Sequence, residues 1–211
     1  GSGQKVLKVQ NKKFIYLISP RKISDNKFFK TLELVLKSNK VSFFQLRLKN
    51  EKFSKKILIS KKIIKICRKY KVKFLVNDDP ILALQVNADG CHLGQKDMSI
   101  IKAKKILKNK IIGITCHNSI KLVKKAYMNG ATYVAVGAFY KTKTKNVRFR
   151  AKTSILGKIK KLTDNPVVAI GGINEKNYKK LLLNKANFLA ISSYIWDNNK
   201  YKPYKAIERL K

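Results

Sequence analysis

The sequence predicts a single (β/α)8 barrel domain, and three observations lead to this fold class. Eight short apolar, β-branched runs alternate with eight segments of helical periodicity. Strict alternation of strands and helices favours parallel strands joined by right-handed crossovers. The length of 211 residues suits one barrel. A doubly wound open sheet is the alternative, but no glycine-rich dinucleotide motif follows the first predicted strand, which ends at Ser19.

In the first half of the chain, amphipathic helices separate apolar runs that are bounded by polar turn residues. Apolar side chains share one face in the first two predicted helices: Phe28, Leu32, Val35 and Leu36 in the first, and Ile59, Ile63 and Ile66 in the second. The predicted strands are 14–19, 41–46, 73–76 and 91–93. The predicted helices are 25–39, 52–70, 80–86 and 100–107.

The second half of the chain repeats the pattern with short β-branched strands. The predicted strands are 111–114, 133–136, 167–170 and 188–191. The predicted helices are 119–129, 153–162, 175–184 and 203–210. Gly130 is the expected C-cap of the helix that precedes it. A loop rich in Lys and Thr, 140–150, is expected to close over the substrate.

Composition indicates one globular domain outside the membrane. Apolar residues make up 45% of the chain, enough for a full core. No apolar run approaches the roughly 18–20 residues that span a bilayer, and no secretory signal is evident. Cys67, Cys91 and Cys116 are far apart and in apolar surroundings, so we expect reduced cysteines in a cytoplasmic protein. We interpret 1–3 (Gly-Ser-Gly) as a cloning remnant and 4–211 as the catalytic domain.

The chain is strongly basic: 49 Lys and Arg against 11 Asp and Glu give a formal net charge of +38. Such a charge favours binding to nucleic acid or to an anionic membrane. The lysines are scattered over every predicted helix, however, and the richness in Lys, Asn and Ile resembles a proteome-wide codon bias. We therefore expect no nucleic-acid partner, while the positive field would still gather phosphorylated substrates.

The few acidic residues concentrate in one stretch. Asp78, Asp79, Asp89 and Asp97 all lie within residues 74–98. The outer two follow neighbouring predicted strands, whose carboxyl ends share one rim of a barrel. Two carboxylates held together in a basic chain indicate a hard-cation site, most simply Mg²⁺, which binds one or two carboxylates plus substrate phosphates. Capping of the next helix by each of the two is the alternative.

Other predicted strand ends supply cations, hydroxyls and glycines. Arg47 and Lys49 alternate with leucines, so both point to one side, and an arginine fork suits phosphate oxygens. Gly171 and Gly172 let the backbone approach an anion at the loops that usually bind phosphate in this fold. A helix expected to start near Asn174 would add its N–H groups there. The remaining candidates are Gln45, Asn77, His92, Gln95, Thr115, His117, Thr142, Thr144, Lys145, Ser192 and Ser193.

This set implies two anionic groups at one rim. A diphosphate would be held by Mg²⁺ and by three cationic side chains, those of Arg47, Lys49 and Lys145. A single phosphate would lie on the glycine and serine loops. Two such positions and a metal suit a transfer in which diphosphate leaves, because the metal and the cations stabilise charge on the departing oxygen. No nucleophile–base pair is evident, and this chemistry requires none.

Seven motifs fall in order at the predicted strand ends. They are QLRLK (45–49), VNDD (76–79), ADGCHLGQKDM (88–98), GITCH (113–117), GATYVAVGAFYKTKTK (130–145), AIGGI (169–173) and AISS (190–193). Together they resemble the thiamine phosphate synthase family over nearly the whole chain, with the related thiazole tautomerase as the next most similar group. One motif alone would be a weak signal, whereas seven in order are specific.

The resemblance implies a barrel that joins hydroxymethylpyrimidine diphosphate to a thiazole phosphate, giving thiamine monophosphate and diphosphate. Diphosphate would leave a pyrimidine methyl cation, which the thiazole nitrogen attacks. By resemblance, Asp78 and Asp97 would hold Mg²⁺, and Arg47, Lys145 and Thr115 are the catalytic candidates. The pyrimidine diphosphate would be bound by Gln45, Arg47, Lys49, Asn77, Thr115 and Lys145. The thiazole phosphate would be bound by Thr142, Thr144, Gly172, Ser192 and Ser193.

Three positions depart from the family pattern. Leu48 stands where the family usually has Glu, Lys96 where it has an acid, and Thr115 where it has Ser. Leu48 removes a charge beside Arg47, and Lys96 adds positive charge next to the proposed metal ligand Asp97. Thr115 keeps the hydroxyl, so no proposed ligand is lost.

Two other functions stay open at this point. A thiazole tautomerase resembles this barrel and works without metal, and a histidine such as His117 would matter there. The retained Asp78, Asp97 and Lys/Thr run (141–145) favour the synthase, since a tautomerase has no diphosphate to hold. An inactive basic barrel that binds nucleic acid or anionic surfaces is favoured by the charge and disfavoured by the intact ring of polar residues. His92 lies in a predicted strand and is interpreted as a core or supporting residue, and the sequence leaves homo-oligomer formation open.

Overall fold

The computed structural model describes residues 13–142 and 150–211. Within these ranges, eight parallel strands follow one another around a closed barrel in chain order, and the last strand pairs with the first. The strands are β1 Ile15–Ile18, β2 Val41–Leu46, β3 Lys73–Asn77, β4 Gly90–Leu93, β5 Ile111–Thr115, β6 Tyr133–Val136, β7 Val167–Ala169 and β8 Phe188–Ile191. The predicted (β/α)8 barrel is therefore confirmed.

Helices cover the outside of the barrel in the same ranges. They are α1 Lys27–Leu36, α2 Phe53–Lys69, α3 Pro80–Gln85, α4 Ile100–Leu107, α5 Ile120–Met128, α6 Ser154–Leu162, α7 Tyr178–Leu183, α8 Ser193–Trp196 and α9 Pro203–Glu208. The stripe predicted for α1 is buried at Leu32, Val35 and Leu36. Gly130 follows α5 with a φ of 94°, as expected of a C-cap glycine. Among the described residues, no helix combines the length and apolar character that crossing a membrane requires.

Two differences from the sequence prediction follow β7 and β8. The helix expected from residue 175 begins only at Tyr178. The Asn177 side chain holds the preceding residues in a turn, because its Oδ1 accepts from Asn174 N and its Nδ2 donates to Gly172 O, both at 2.9 Å. The sequence pattern does not predict α8, because four residues are too few to show helical periodicity.

A layer of buried side chains fills the barrel interior below the rim. It consists of Tyr16, Leu75, Tyr133, Ala135, Val168 and Ala190. The polar residues Gln45 and His92 are buried as well, with 3% and 8% of their surface exposed. Gly113 on β5 makes room for the ring of Tyr133, its register partner on β6, because an added Cβ would lie 1.9 Å from Tyr133 Cζ.

Replacing Gly113 by alanine should destabilise the barrel, because the new methyl group would overlap the Tyr133 ring. Overpacking of this kind typically lowers the free energy of unfolding by about 1–3 kcal/mol. The matched control is Gly157→Ala in α6, where an added Cβ meets nothing within 4 Å. The higher helix propensity of alanine should raise the free energy of unfolding there by up to about 1 kcal/mol. Urea unfolding followed by circular dichroism measures both, and a Gly113→Ala protein as stable as the parent would contradict this packing.

Candidate active site

A large cavity opens at the carboxyl ends of the strands. Its volume is about 710 Å³, and the segments that follow β1, β5, β6, β7 and β8 line it, together with Arg47 after β2. The predicted site residues in its wall are Arg47, Thr115, His117, Thr142, Gly171, Gly172, Ser192 and Ser193. The cavity therefore lies at the rim where barrels of this class carry their chemistry.

A second cavity of about 590 Å³ adjoins the first. Arg21, Lys22 and Arg47 line both cavities, and Lys49 lines the smaller one. The pKa of Arg47 is lowered because its half-buried guanidinium is desolvated and because Arg21 lies nearby, while Asp78 acts in the opposite direction. Cations from two neighbouring loops around one opening suit an anion that carries several charges.

Asp78 and Asp97 lie close enough for their charges to interact. The pKa of Asp78 is raised first by desolvation and then by the charge of Asp97, while Lys56 and Lys49 act in the opposite direction. Asp97 Oδ2 accepts a hydrogen bond from Gly94 N at 2.6 Å, which orients that carboxylate. The two acids therefore stand at one place on the rim, as the sequence predicts.

The alternative that these two acids cap helices is wrong. The side chains that cap α3 and α4 belong to the neighbouring residues Asp79 and Ser99. Asp79 Oδ1 accepts from Leu82 N at 3.0 Å, and Ser99 Oγ accepts from Lys102 N at 3.2 Å. Asp78 has a left-handed φ of 60° and stands outside the helix.

The acidic pair fits Mg²⁺ by its chemistry. One or two carboxylates are typical ligands of Mg²⁺, which completes its coordination with water and substrate phosphates. A cation between Asp78 and Asp97 would relieve the repulsion that contributes to the raised pKa of Asp78. Within residues 13–142 and 150–211, no group of three or more His, Cys, Asp or Glu side chains is arranged to hold a metal.

The turn after β7 brings the backbone to the edge of the large cavity. Gly171 and Gly172 have φ values of 102° and 64°, in the left-handed region that favours glycine. A Cβ on Gly171 would lie 2.3 Å from Ala138 Cβ, and one on Gly172 would lie 2.6 Å from Lys141 O. Both positions therefore require glycine, for conformational and for steric reasons.

The helix start expected near Asn174 is wrong, since α7 begins at Tyr178. The helix whose start lines the cavity is α8, at Ser193, and Ser192 and Ser193 share this cavity with the glycine turn. Barrels of this class commonly bind phosphate at the loops after strands seven and eight, with a short extra helix. The observed geometry has these parts, but the helix start at the cavity follows β8 and not β7 as expected.

The Thr115 hydroxyl is tied to the barrel interior. Its Oγ1 lies 2.8 Å from His92 Nε2, and His92 Nδ1 lies 2.8 Å from Tyr133 Oη. Gln95 Nε2 donates to the Thr115 carbonyl at 2.7 Å, which also fixes the backbone there. Gln45 is also buried, and its Nε2 donates to Tyr16 Oη at 2.8 Å. His92 is thus a buried supporting residue, as its position in a strand predicts.

The remaining predicted site residues have different positions. Thr144 and Lys145 lie outside the described residues. Asn77 ends β3, and its Nδ2 donates to Asp78 Oδ2 at 3.4 Å. His117 lines the large cavity with a left-handed φ of 51°.

Arg21 and Lys22 line both cavities but are not among the predicted site residues, all of which follow the second or a later strand. The signal was present, since these two basic residues follow the first strand almost directly. Tyr16 and Tyr133 were also missed as parts of the site. Their pattern is that of ordinary strand aromatics, and only the closed barrel brings them together.

Fold and cavity together define a (β/α)8-barrel enzyme with a cation-rich active-site rim. The family model described as thiamine monophosphate synthase matches residues 15–195. The chain belongs to this family, and it is a transferase of thiamine biosynthesis. The family and the fold expected from the seven motifs are therefore confirmed.

The relatives agree along nearly the full chain. A thiamine-phosphate synthase of Pelagibacter ubique is 68% identical over 201 residues, which cover 95% of this chain and 97% of the relative. A thiamine-phosphate synthase of Clostridium acetobutylicum is 38% identical over 190 residues, covering 89% of each chain. The solved structure of thiamine phosphate pyrophosphorylase from Pyrococcus furiosus is 31% identical, covers 96% of this chain and 95% of its own, and superposes with a TM-score of 0.83.

The barrel should lose stability in mild acid because of His92. Burial, and to a smaller extent the charge of Arg47, lowers the pKa of His92 to about 4. An unfolded histidine has a pKa of about 6.5. Between these values the unfolded state binds a proton that the folded state does not. Stability therefore decreases as the pH falls from about 6.5 to about 4, by about 3 kcal/mol in all.

Urea unfolding at about pH 7.5 and about pH 5 measures this contribution, of which about 2 kcal/mol should be lost over that interval. The His92→Gln protein should lack it, so its pH dependence should be smaller by that amount. The quantity to compare is the change in the free energy of unfolding between the two pH values, because the substitution also removes hydrogen bonds at both. If the two proteins lost the same free energy of unfolding between these pH values, the result would contradict a buried neutral imidazole.

Proposed function

We propose that this chain joins hydroxymethylpyrimidine diphosphate to a thiazole phosphate, forming thiamine monophosphate and releasing diphosphate. The observation that carries the proposal is the pair of anion positions at one opening. Asp78 and Asp97 follow β3 and β4 and stand near cationic side chains, while the glycine turn after β7 and the start of α8 line the large cavity from the opposite side of the barrel. Membership of the family supports the same reaction.

The pyrimidine diphosphate would lie between the acidic pair and the smaller cavity. Asp78 and Asp97 would hold Mg²⁺, which supplies positive charge against the diphosphate oxygens. The diphosphate would also be bound by Arg47, Lys49, Asn77 and Lys145. Thr115 would face the pyrimidine ring from the cavity wall, and Gln45, which is buried and bonded to Tyr16, would support the pyrimidine position from the barrel interior. Arg21 and Lys22, in the wall shared by the two cavities, would add to the positive potential.

The thiazole phosphate would lie on the other side of the large cavity. Its phosphate would be bound by the hydroxyl groups and glycine backbone of Thr142, Thr144, Gly171, Gly172, Ser192 and Ser193. The close approach of backbone to ligand that glycine permits suits phosphate oxygens at this turn. The thiazole ring would then point along the cavity towards the pyrimidine.

The reaction would begin when the bond between the pyrimidine methylene carbon and the diphosphate oxygen breaks, with the electron pair leaving on oxygen. Arg47 and Lys145 would stabilise the charge that grows on that oxygen. The thiazole nitrogen would then donate its electron pair to the methylene cation and form the C–N bond. No proton is removed in either step, so no general base is required. The apolar side chains of Ile18, Ile170 and Ala190 in the cavity wall would keep water from the cation.

The ligands of this site would be small phosphorylated molecules. The basic residues are spread over the whole chain, so we propose no nucleic-acid partner. Cys67, Cys91 and Cys116 are buried and unpaired, which suits a reducing compartment such as the cytoplasm.

Product formation followed by mass spectrometry tests the proposed reaction. With both substrates and Mg²⁺ the parent protein should form thiamine monophosphate, and EDTA should abolish the product. Asp97→Ala should lower the rate by about 100-fold or more, because it removes a ligand of the Mg²⁺ whose positive charge would stabilise the leaving diphosphate. The matched control is Asp164→Ala, an exposed acid between α6 and β7 at the opposite end of the barrel, which should keep the parent rate.

Folded protein that forms no product would overturn the proposal. Isomerisation of the thiazole phosphate without metal would then favour the tautomerase. Steeply salt-dependent DNA binding without turnover would favour the binding protein.

Ser193→Ala tests the thiazole phosphate position separately. Loss of one hydrogen bond to a charged phosphate should raise the KM for thiazole phosphate by about tenfold or more. The KM for pyrimidine diphosphate serves as the internal control and should stay within about twofold, since that substrate would be bound at the other cavity. Steady-state kinetics with each substrate varied in turn gives both values, and an equal rise in both would refute the division into two anion positions.

A further inference from the structure

A continuous chain of hydrogen bonds crosses the barrel interior and ends at the floor of the large cavity. Gln45 Nε2 donates to Tyr16 Oη at 2.8 Å, and Tyr16 Oη lies 2.5 Å from Tyr133 Oη. Tyr133 Oη lies 2.8 Å from His92 Nδ1, and His92 Nε2 lies 2.8 Å from Thr115 Oγ1. Only the last of these five residues lines the cavity. We call this the interior chain.

Each inner member of the interior chain has a single proton to donate. Burial raises the pKa of Tyr16 and of Tyr133, so both phenols keep their protons. Burial also keeps the imidazole of His92 neutral near pH 7, with one N–H. A neutral imidazole donates from one nitrogen and accepts at the other. The four links of the chain therefore have to be made in one consistent direction.

The direction follows from the Gln45 end. Because Gln45 Nε2 donates to Tyr16, the proton of Tyr16 is free to bond Tyr133. Tyr133 in turn donates to His92 Nδ1, which leaves the proton of His92 on Nε2. That proton is donated to Thr115 Oγ1. The Thr115 hydroxyl proton has no place in the chain and is left for a ligand in the cavity.

The surrounding contacts keep this arrangement rigid. The rings of His92 and Tyr133 are stacked, with centroids 5.7 Å apart and planes inclined by 22°. The ring of Tyr16 packs against Phe43 at a centroid distance of 5.5 Å. Gln95 holds the backbone of Thr115. Tyr16, Tyr133 and His92 each bond two neighbours, so none of the three can rotate alone without breaking hydrogen bonds. Hydrogen bonds in such a series strengthen one another.

We propose that the interior chain fixes the Thr115 hydroxyl as a hydrogen-bond donor towards the substrate. Tyr16, Tyr133 and His92 are then positioning residues, which act through Thr115 and select a ligand that presents an unprotonated acceptor atom at the cavity floor. The identity of that ligand rests on the proposed function, in which a neutral pyrimidine ring has such nitrogen acceptors. Reversal of the chain would leave Thr115 as an acceptor only and would select a ligand with an N–H or O–H at this point.

The tautomer of His92 tests the polarity of the chain without any substrate. The protein contains two histidines, so ¹⁵N labelling of the imidazoles gives two spin systems, and His117→Gln assigns them. Near pH 7, His92 should carry its proton on Nε2. Tyr133→Phe removes the donor to Nδ1 and should shift His92 towards a mixture of tautomers. The control is Tyr178→Phe. Tyr178 is also buried, but its hydroxyl donates to Lys211 O and is not part of the interior chain, so the spectrum of His92 should stay unchanged.

A double-mutant cycle tests whether the interior chain affects substrate binding through Thr115. Tyr133→Phe should raise the KM for pyrimidine diphosphate by about 3- to 10-fold, the size of one neutral hydrogen bond, and leave the KM for thiazole phosphate unchanged. In a Thr115→Val background, which lacks the hydroxyl, Tyr133→Phe should have no further effect. Thr115→Ser should restore the parent value. Tyr16→Phe, which keeps the ring packed on Phe43, gives an independent variant if Tyr133→Phe does not fold.

Two results would overturn the proposal: a proton on His92 Nδ1 in the parent protein, or equal effects of Tyr133→Phe in the Thr115 and Thr115→Val backgrounds. The first would mean a chain of opposite direction, and the second a purely structural role. If the parent protein made no thiamine monophosphate, the proposed function would fail by itself, because the tautomer is read in the free protein.

Discussion

The closed ring of parallel strands is the constraint on which the rest of this structure depends. Because every strand runs the same way, every carboxyl end reaches one rim, and residues as distant in sequence as Arg47 and Ser193 line one cavity. A closed barrel also has to fill its interior. Here the rings of Tyr16 and Tyr133 do so, and Gly113 leaves space for the second ring. The filled layer becomes the floor of the cavity, so the depth of the site follows from the packing of the core.

Charge is distributed on this rim against the trend of the whole chain. In a protein with a net charge of +38, desolvation and the charge of Asp97 raise the pKa of Asp78, while nearby lysines act in the opposite direction. Lys96 and Leu48 are two positions near this arrangement at which the motifs differ from the pattern that the resemblance implies. Lys96 is exposed, so solvent and salt screen its charge from the acidic pair. Leu48 is 7% exposed and packs in the core, whereas Arg47 lines the cavity.

The sequence predicts the parts of this structure that depend on local patterns. Alternation of apolar runs and helical stripes gives the barrel, and polar residues at strand ends, such as Arg47 and Asp97, mark the rim. Other parts depend on contacts that no local pattern reveals. The start of α7 is delayed by the side chain of Asn177, and α8 is too short to have a period. The hydrogen bond between Tyr16 and Tyr133 joins residues 117 positions apart, which become neighbours only when the barrel closes.

In the proposed function, the rim and the floor of the cavity would recognise ligands by different interactions. Coulomb attraction falls slowly with distance, so the exposed cations and acids of the rim can bind phosphate groups without exact placement of each atom. A hydrogen bond weakens steeply with angle, so a group that reads one atom of a ring has to be held still. An interior of apolar side chains alone would satisfy the core but could not hold Thr115 in this way. Burying the polar groups of Gln45, Tyr16, Tyr133 and His92 is tolerated because each is bonded to the next. Because these groups are fixed in the core, they also fix the orientation of the Thr115 hydroxyl at the cavity floor.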